Sequence, residues 1–230
     1  MKAYLEPEEI DRLEESATNL RDKLLIRSLF RLAGRISAII AITTNDIDFK
    51  QETITIKLLK KRNKLSCPHC KSGLSKSHKY CPGCSRKISQ ATKEKLEQTK
   101  RCILPIDPKT LKMLREYIDR GGPVNRNGKL LTFPINRHRA WQIIKQCAEK
   151  AGLPRLINPE TGKIHNISPH RLRDAFAVNA VKKDDSGDGL RMLQEHLGHQ
   201  SISTTMRYRK VAGEEHKEWY NKLWQDKDTE

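Results

Sequence analysis

The side chains best suited to chemistry crowd the last quarter of the chain. PHRLRDAF (169–176) and LGHQSISTTMRYRKV (197–211) bring His170, Arg173, His199 and Tyr208 close together in sequence. A tyrosine phenol titrates near 10 in water, so it is a poor nucleophile at neutral pH. Covalent work by Tyr208 therefore needs hydrogen-bonding and cationic neighbours that stabilise charge where it attacks. Arginine suits a phosphodiester, because its planar fork donates two parallel hydrogen bonds to phosphate oxygens. The set reads as phosphoryl transfer on nucleic acid.

The elements that must position these groups follow from periodicity and punctuation. Pro7-Glu8-Glu9 opens a helix, with proline in the first turn and acids at its positive end. From about Asn19 to Ala41, Leu24, Leu25, Leu29, Phe30, Ile36, Ile39 and Ile40 recur at helical spacing, interrupted at Gly34. Arg35 falls inside this apolar helix, where a charge must find a partner or a cleft. Ile47-Asp48-Phe49 and Thr53–Leu58 alternate as a hairpin, and Cys102–Ile106 reads as the sheet's next strand, with Pro105 pushing it towards an edge. Helices are predicted over PKTLKMLREYI and over HRAWQIIKQCAEKAG, which stops at Gly152. Leu153 to Asn166 is a Pro/Gly/Asn-rich connection with a turn at 159–162. Ser168-Pro169 caps the helix of His170 and Arg173; Asp184 to Asp188 is a loop; residues 213–225 form an amphipathic helix with Trp219, Leu223 and Trp224 on one face.

Between the strands lies CPHC-KSGLSKSHKY-CPGC. Two C-x-x-C pairs in proline-containing turns are the sequence form of a four-thiolate zinc knuckle, so Cys67, Cys70, Cys81 and Cys84 are the candidate ligands of a structural zinc. Disulfides, a redox pair and an iron–sulfur cluster are the rival readings. His69 and His78 are spare ligands beside a shell that four cysteines already fill. The module is too small to have a core without the metal.

Composition agrees with a polyanionic partner. There are 45 Lys+Arg against 28 Asp+Glu, a formal charge of +17 and a pI near 9.7; phosphate contacts dominate nucleic-acid affinity. The longest clean apolar stretch, Ala38–Ile42, is far too short to span a bilayer, and the acidic N-terminal stretch is unlike a secretion signal. Reduced cysteines point to a cytoplasmic, nucleoid-associated protein with no membrane partner.

The chain also resembles the tyrosine recombinases of the phage-integrase type. H-x-L-R-x-x-x-A at 170–177, L-G-H-x-S at 197–201 and T-T-x-x-Y at 204–208 are similar to that family's signature, and Gly34, Arg35, Ser37 and the D-I-D at 46–48 to its upstream motif. The family's upstream glutamate is replaced by Ala38, and its usual histidine after the second arginine by Asp174. The resemblance implies a mainly α (α+β) catalytic domain with a small antiparallel sheet, divided as 1–62 and 101–212, a zinc-knuckle insertion at 63–100 and a C-terminal helix and tail at 213–230. It implies a site-specific recombinase or integrase that cleaves and rejoins double-stranded DNA through a 3′-phosphotyrosine, needing no cofactor for catalysis. Tyr208 is then the nucleophile, Arg35 and Arg173 the phosphate clamp, and His199 a donor to a phosphate oxygen. His170 binds the phosphate or takes the phenolic proton. The family's hairpin lysine is matched nearest by Lys60 or Lys61, with Lys100 where the second strand resumes; Lys60 is preferred. A homo-oligomer on DNA is implied. So is either a separate DNA-clamping protein or a longer parent chain, because the family's N-terminal helical domain does not precede these residues. A type IB topoisomerase-like enzyme and an inactive zinc-containing accessory protein are the competing functions.

Overall fold

The computed structural model describes residues 2–75, 77–88, 92–158, 161–209 and 220–221, excluding the side chains of 58–64 and 92–100. It divides into two compact units, Met1–Ile56 with Cys102–Glu230, and Lys57–Arg101.

In the first unit, α1 (Pro7–Glu15) starts with proline in its first turn and a reciprocal Glu6/Glu9 capping box. Helix α2 (Leu20–Arg31) is capped by the Asn19 side chain, which accepts from the Asp22 amide at 2.9 Å. Leu24, Leu25, Ile26 and Leu29 of α2 are fully buried, and α1, α4 (Pro108–Asp119) and α6 (Pro169–Lys183) pack around this helix. Arg27, 3% exposed, is held by Glu14 at 3.1 Å, Asp107 at 2.8 Å and Thr110 at 2.6 Å. That network ties α1, α2 and the start of α4 through one buried cation whose partners offset its desolvation.

The apolar helix does not run through to Ala41. It ends at Arg31; Ala33 sits at φ 46°, in the left-handed region, and a short α3 (Ile36–Ile39) follows with Arg35 as its N-cap residue. Arg35 is therefore an exposed residue at a break, not a charge inside a continuous helix. Gly34 is required at that break: a Cβ there would lie 2.6 Å from Ile39 Cδ1.

A 3-10 turn (Thr44–Asp46) leads into β1 (Ile47–Asp48), antiparallel to β2 (Thr53–Ser66) with Ile47 opposite Ile54. Strand β2 also pairs with β3 (Gly73–Leu74) and with β4 (Thr92–Pro105). Two further hairpins were not expected. Strands β5 (Val124–Arg126) and β6 (Lys129–Leu131) join through Asn127 and Gly128, both at positive φ, the two-residue geometry that Asn-Gly favours. Strands β7 (Leu156–Ile157) and β8 (Ile164–His165) pair inside what the sequence suggests is a plain connection; Pro159 and Glu160 of its turn lie outside the described residues.

Helix α5 (Arg137–Lys150) is capped by Asn136, and Gly152 beyond it is left-handed. Helix α7 (Gly187–Leu197) begins inside the expected 184–188 loop, because the Ser186 hydroxyl accepts from the Gly189 amide at 3.0 Å. Helix α8 (Ile202–Arg209) completes the described set. The expected amphipathic helix at 213–225 lies outside the described residues except for Tyr220 and Asn221, which are helical. No helix among the described residues is long and apolar enough to cross a membrane.

Candidate active site

Arg173 lies one turn into α6 and is 5% exposed. Its Nη1 donates to the Ala33 carbonyl at 2.5 Å and its Nη2 to the Leu197 carbonyl at 2.6 Å. The Leu197 carbonyl is at the C-terminal end of α7, where unsatisfied C=O groups concentrate negative potential, and the Ala33 carbonyl belongs to the left-handed turn just past the end of α2. The fold thus aims one helix end and one turn carbonyl at the same guanidinium. Burial, then the charge of Arg35, lowers the Arg173 pKa, yet a guanidinium stays charged at any ordinary pH.

Helix α7 ends at Gly198, left-handed at φ 63°, and that turn presents His199. His199 Nε2 is 3.3 Å from Arg173 Nη2, and its Nδ1 is 2.9 Å from the Thr205 hydroxyl. Arginine can only donate, so Nε2 accepts and the imidazole proton is assigned to Nδ1, which donates to Thr205. Burial, then Arg173 and Arg35, pull the His199 pKa down to about 4. The ring is neutral at physiological pH.

Tyr208 projects from α8 against a buried cluster of Ala33, Ala177, Val181, Leu190, Leu193 and Leu197. Its ring stacks beside His199 with centroids 6.3 Å apart and planes 13° apart. The hydroxyl donates to Asp174 Oδ1 at 3.0 Å. Burial first, then the Asp174 carboxylate, raises the phenol pKa above its ordinary value. Arg171 Nη1 donates to Asp174 Oδ2 at 2.9 Å, while His170, its side chain 69% exposed, has Nε2 3.9 Å from Oδ1.

These groups line one cleft of about 810 Å³. Arg35, His170, Arg173, His199 and Tyr208 all face it, together with Arg137, Arg171 and Arg207. Five arginines beside a phenol make a site for a phosphate-rich ligand. Thr205 and Asp174, the partners of His199 and Tyr208, are working groups that sequence reasoning alone does not reach. Thr205 is the second threonine of T-T-x-x-Y, which was the available signal. Lys60 lies in β2, in the second unit, and its side chain is outside those described.

The second unit brings its four cysteines together. Each knuckle folds alike: the Lys71 amide donates to the Cys67 carbonyl at 3.0 Å and the Ser85 amide to that of Cys81 at 2.8 Å. Lys71 and Ser85 are both left-handed, at φ 58° and 54°. Cys67 and Cys84 sulfurs are 3.7 Å apart, those of Cys70 and Cys81 3.4 Å, and all four lie within 4.8 Å of one another. Metal–sulfur bonds of about 2.3 Å in a tetrahedron separate sulfurs by about 3.8 Å, so this donor set could hold a metal ion. Backbone amides of Cys70 and His69 hold the Cys67 thiol below its usual pKa. The Ser72 hydroxyl and amide bring Cys70 down to about 6, whereas burial and the neighbouring sulfurs push Cys84 up to about 12. In the metal-free cluster the thiolates therefore form on the first knuckle, and the crowding of sulfurs resists the last deprotonation. His69 Nδ1 is engaged with Arg86 at 3.0 Å, and His78 Nδ1 accepts from the Ser75 amide at 3.4 Å.

Residues 3–215 match the family model described as phage integrase family. The tyrosine recombinase XerC of Roseiflexus castenholzii is 29% identical over 224 residues, covering 89% of this chain and 54% of that protein. The tyrosine recombinase XerD of Corynebacterium glutamicum is 25% identical over 203 residues, covering 85% and 50%. The chain thus spans about half the length of the curated relatives it matches. Among solved structures, XerA recombinase aligns with a TM-score of 0.60 at 20% identity, over 95% of this chain and 65% of that one. XerH recombinase, in a pre-cleavage complex with its difH substrate, aligns at 0.55 and 20% identity, over 90% and 51%. At these identities the likeness establishes the fold: mainly helical, with small antiparallel sheets.

Proposed function

The chain belongs to the phage integrase family, and on that premise we propose that it is the catalytic part of a site-specific recombinase that cuts and rejoins double-stranded DNA. The observation that carries this reading is the Tyr208 phenol beside Arg173 and His199 in an arginine-lined cleft. The Tyr208 oxygen attacks the scissile phosphorus, the P–O5′ bond breaks, and a 3′-phosphotyrosine keeps the bond energy for religation. Arg35 and Arg173 hold the non-bridging oxygens as they gain charge. His170, at the exposed mouth of the cleft, binds the phosphate. His199 becomes a donor to phosphate by a tautomer exchange that Thr205 permits, since a hydroxyl can turn from accepting at Nδ1 to donating there. Lys60 is the proposed acid for the leaving 5′-oxygen.

Cys67, Cys70, Cys81 and Cys84 hold a structural zinc, a reading supported by four sulfurs that all lie within 4.8 Å of one another. When bound it cross-links the two knuckles and supplies no step of the reaction. We assign residues 1–62 and 101–212 to the catalytic domain, 63–100 to the zinc insertion and 213–230 to a C-terminal helix and tail. The working form is a homo-oligomer on DNA, with the clamp over the far side of the duplex provided by a separate protein or by more of the same polypeptide. Reduced thiolates and a DNA substrate fit the cytoplasm, at the nucleoid.

A nicked suicide substrate tests the reading, because loss of a short 5′ fragment traps the phosphotyrosine. The wild-type protein should accumulate a denaturation-resistant protein–DNA adduct, and Tyr208→Phe should bind the same DNA and form none. DNA binding without any adduct in the wild type would leave a binding protein rather than an enzyme. Relaxation of supercoils by an isolated monomer would point to topoisomerase-like action instead.

A further inference from the structure

Asp174 is a 5% exposed carboxylate whose two oxygens have different partners. Oδ2 takes the Arg171 guanidinium at 2.9 Å, and Oδ1 takes the Tyr208 hydroxyl at 3.0 Å. Arg171 fixes the orientation of the carboxylate and offsets its charge, which leaves Oδ1 aimed at the phenol. Among the described residues, Asp174 is the acceptor on that hydroxyl. His170, the imidazole on the same helix, is 69% exposed and has its Nε2 3.9 Å from the same Asp174 Oδ1 that takes the Tyr208 hydroxyl.

We infer that Asp174 is a further catalytic residue, the general base that takes the Tyr208 proton during attack and returns it during religation. The inference rests on the covalent-tyrosine reading above. The Tyr208 O–H bond breaks and its proton passes to Asp174 Oδ1. The freed electron pair forms the O–P bond, the P–O5′ bond breaks, and the leaving oxygen takes its proton from the separate general acid, the proposed lysine. In religation the 5′-hydroxyl attacks, and Asp174 gives its proton back to the departing phenolic oxygen.

The chemistry requires such a group. Burial and the neighbouring carboxylate keep the phenol protonated in the resting enzyme, so no standing phenolate attacks. A carboxylate is a weak base towards a free phenol. As the O–P bond forms, however, the phenolic oxygen acidifies steeply, and transfer to a carboxylate 3.0 Å away becomes downhill late in the step. The groups facing Asp174 are His170, Arg171 and Arg173 from its own helix, Tyr208 from α8, His199 from the turn before α8 and His165 from β8, while Arg35, from the break before α3, lines the same cleft. Apart from Tyr208 these are cations or imidazoles, and they temper the repulsion between a carboxylate and an incoming phosphate.

The test uses adduct formation on the nicked substrate. Asp174→Asn keeps the size and an acceptor for the phenol but cannot take a proton. Adduct formation should slow about 10²–10³-fold with DNA binding unchanged. Its rate should climb roughly tenfold per pH unit through the alkaline range, where the wild type is flat, because hydroxide now supplies the base. A fluorinated tyrosine of lower pKa at position 208 should restore Asp174→Asn by about tenfold or more, which a purely structural defect would not allow. Asp174→His, which keeps a base, should also regain activity. Cleavage by Asp174→Asn at the wild-type rate, or a slow variant that the fluorotyrosine leaves slow, overturns the assignment. Should Asp174→Asn fail to fold, the fluorotyrosine enzyme with Asp174 intact decides: a rate within about threefold of wild type supports a resident base, and a tenfold rise refutes one. A wild-type protein that forms no adduct at all fails the recombinase reading, a result distinct from each of these.

Discussion

Arg173 and His199 meet edge to edge, Nη2 to Nε2 at 3.3 Å, and each settles the state of the other. The guanidinium can only donate, so it holds the imidazole neutral with Nε2 as acceptor. The imidazole closes the one side of Nη2 that the Leu197 carbonyl leaves open. In the proposed reaction a phosphate oxygen entering the cleft would compete for the same atoms. The hydrogen-bond partners that hold Arg173 are backbone carbonyls rather than carboxylates, which leaves much of its positive charge available to a ligand.

Replacing Arg173 by lysine is expected to damage both fold and chemistry. One ammonium on a flexible stem cannot serve the Ala33 carbonyl, the Leu197 carbonyl and a phosphate together. We expect a loss of about 1–3 kcal/mol in denaturant unfolding from the carbonyl left buried and unpaired. Adduct formation should fall by roughly 10²-fold or more among the molecules that remain folded. Arg173→Lys with unaltered unfolding would show that these carbonyls find other donors.

His199 makes stability depend on acid pH. Its folded pKa is about 4 against an ordinary 6.5. Below 6.5 the unfolded chain binds a proton that the folded chain refuses, so stability from this group is fully present above 6.5 and is lost as pH falls towards 4. His199→Gln cannot titrate, and its stability should vary less with pH across that window than that of the wild type. Parallel pH profiles of the two proteins by chemical denaturation check the sign; equal slopes would remove His199 as the cause.

The sequence made some of this legible and hid the rest for identifiable reasons. His170 and Arg173 share a helix face at i, i+3, which spacing alone shows, whereas His199 and Tyr208 join them through the resemblance of L-G-H-x-S and T-T-x-x-Y to the family's motifs. The partner of Tyr208 is reached by neither route. Asp174 and the phenol belong to different helices, and which acceptor the hydroxyl finds depends on how α8 docks on α6. The break before Arg35 was obscured because it turns on Ala33 in a left-handed conformation, and alanine carries no punctuation that would announce it. The β5–β6 hairpin is different: Asn127-Gly128 is a strong short-range hairpin signal that the sequence carries openly, but the strands it joins are only three residues each and show little alternation.

Metal analysis of the purified protein should find about one zinc per chain. Cys67→Ser with Cys70→Ser removes one knuckle's two sulfurs and should abolish binding. Among the side chains described within 57–101, only Ser66, Cys67 and Cys81 are buried. That unit should therefore become protease-sensitive in the double variant, while the helical unit, with its own core, still melts cooperatively. An iron–sulfur absorption band, or no metal in freshly isolated protein, would overturn the assignment of zinc.

Gly34 offers a test of how Arg35 is aimed. The break between α2 and α3 lets the chain pass so close to Ile39 that an added Cβ would meet Cδ1 at 2.6 Å and Cγ1 at 2.9 Å. Ile39 is fully buried, so it cannot swing out to solvent. Gly34→Ala should therefore cost about 1–3 kcal/mol, the usual range for overpacking a filled core. The same displacement moves the adjoining Arg35 in the cleft wall, so cleavage should fall further than the loss of folded protein explains, since small misplacements of a phosphate clamp are expensive. Ile39→Val deletes the Cδ1 methyl that makes the closest contact. Combined with Gly34→Ala it should recover part of both stability and cleavage, even though Ile39→Val alone costs about 0.5–1.5 kcal/mol. Such a reversal of sign in a double-mutant cycle is the signature of direct contact. If the two substitutions simply add, the close approach at Gly34 is not what fixes Arg35.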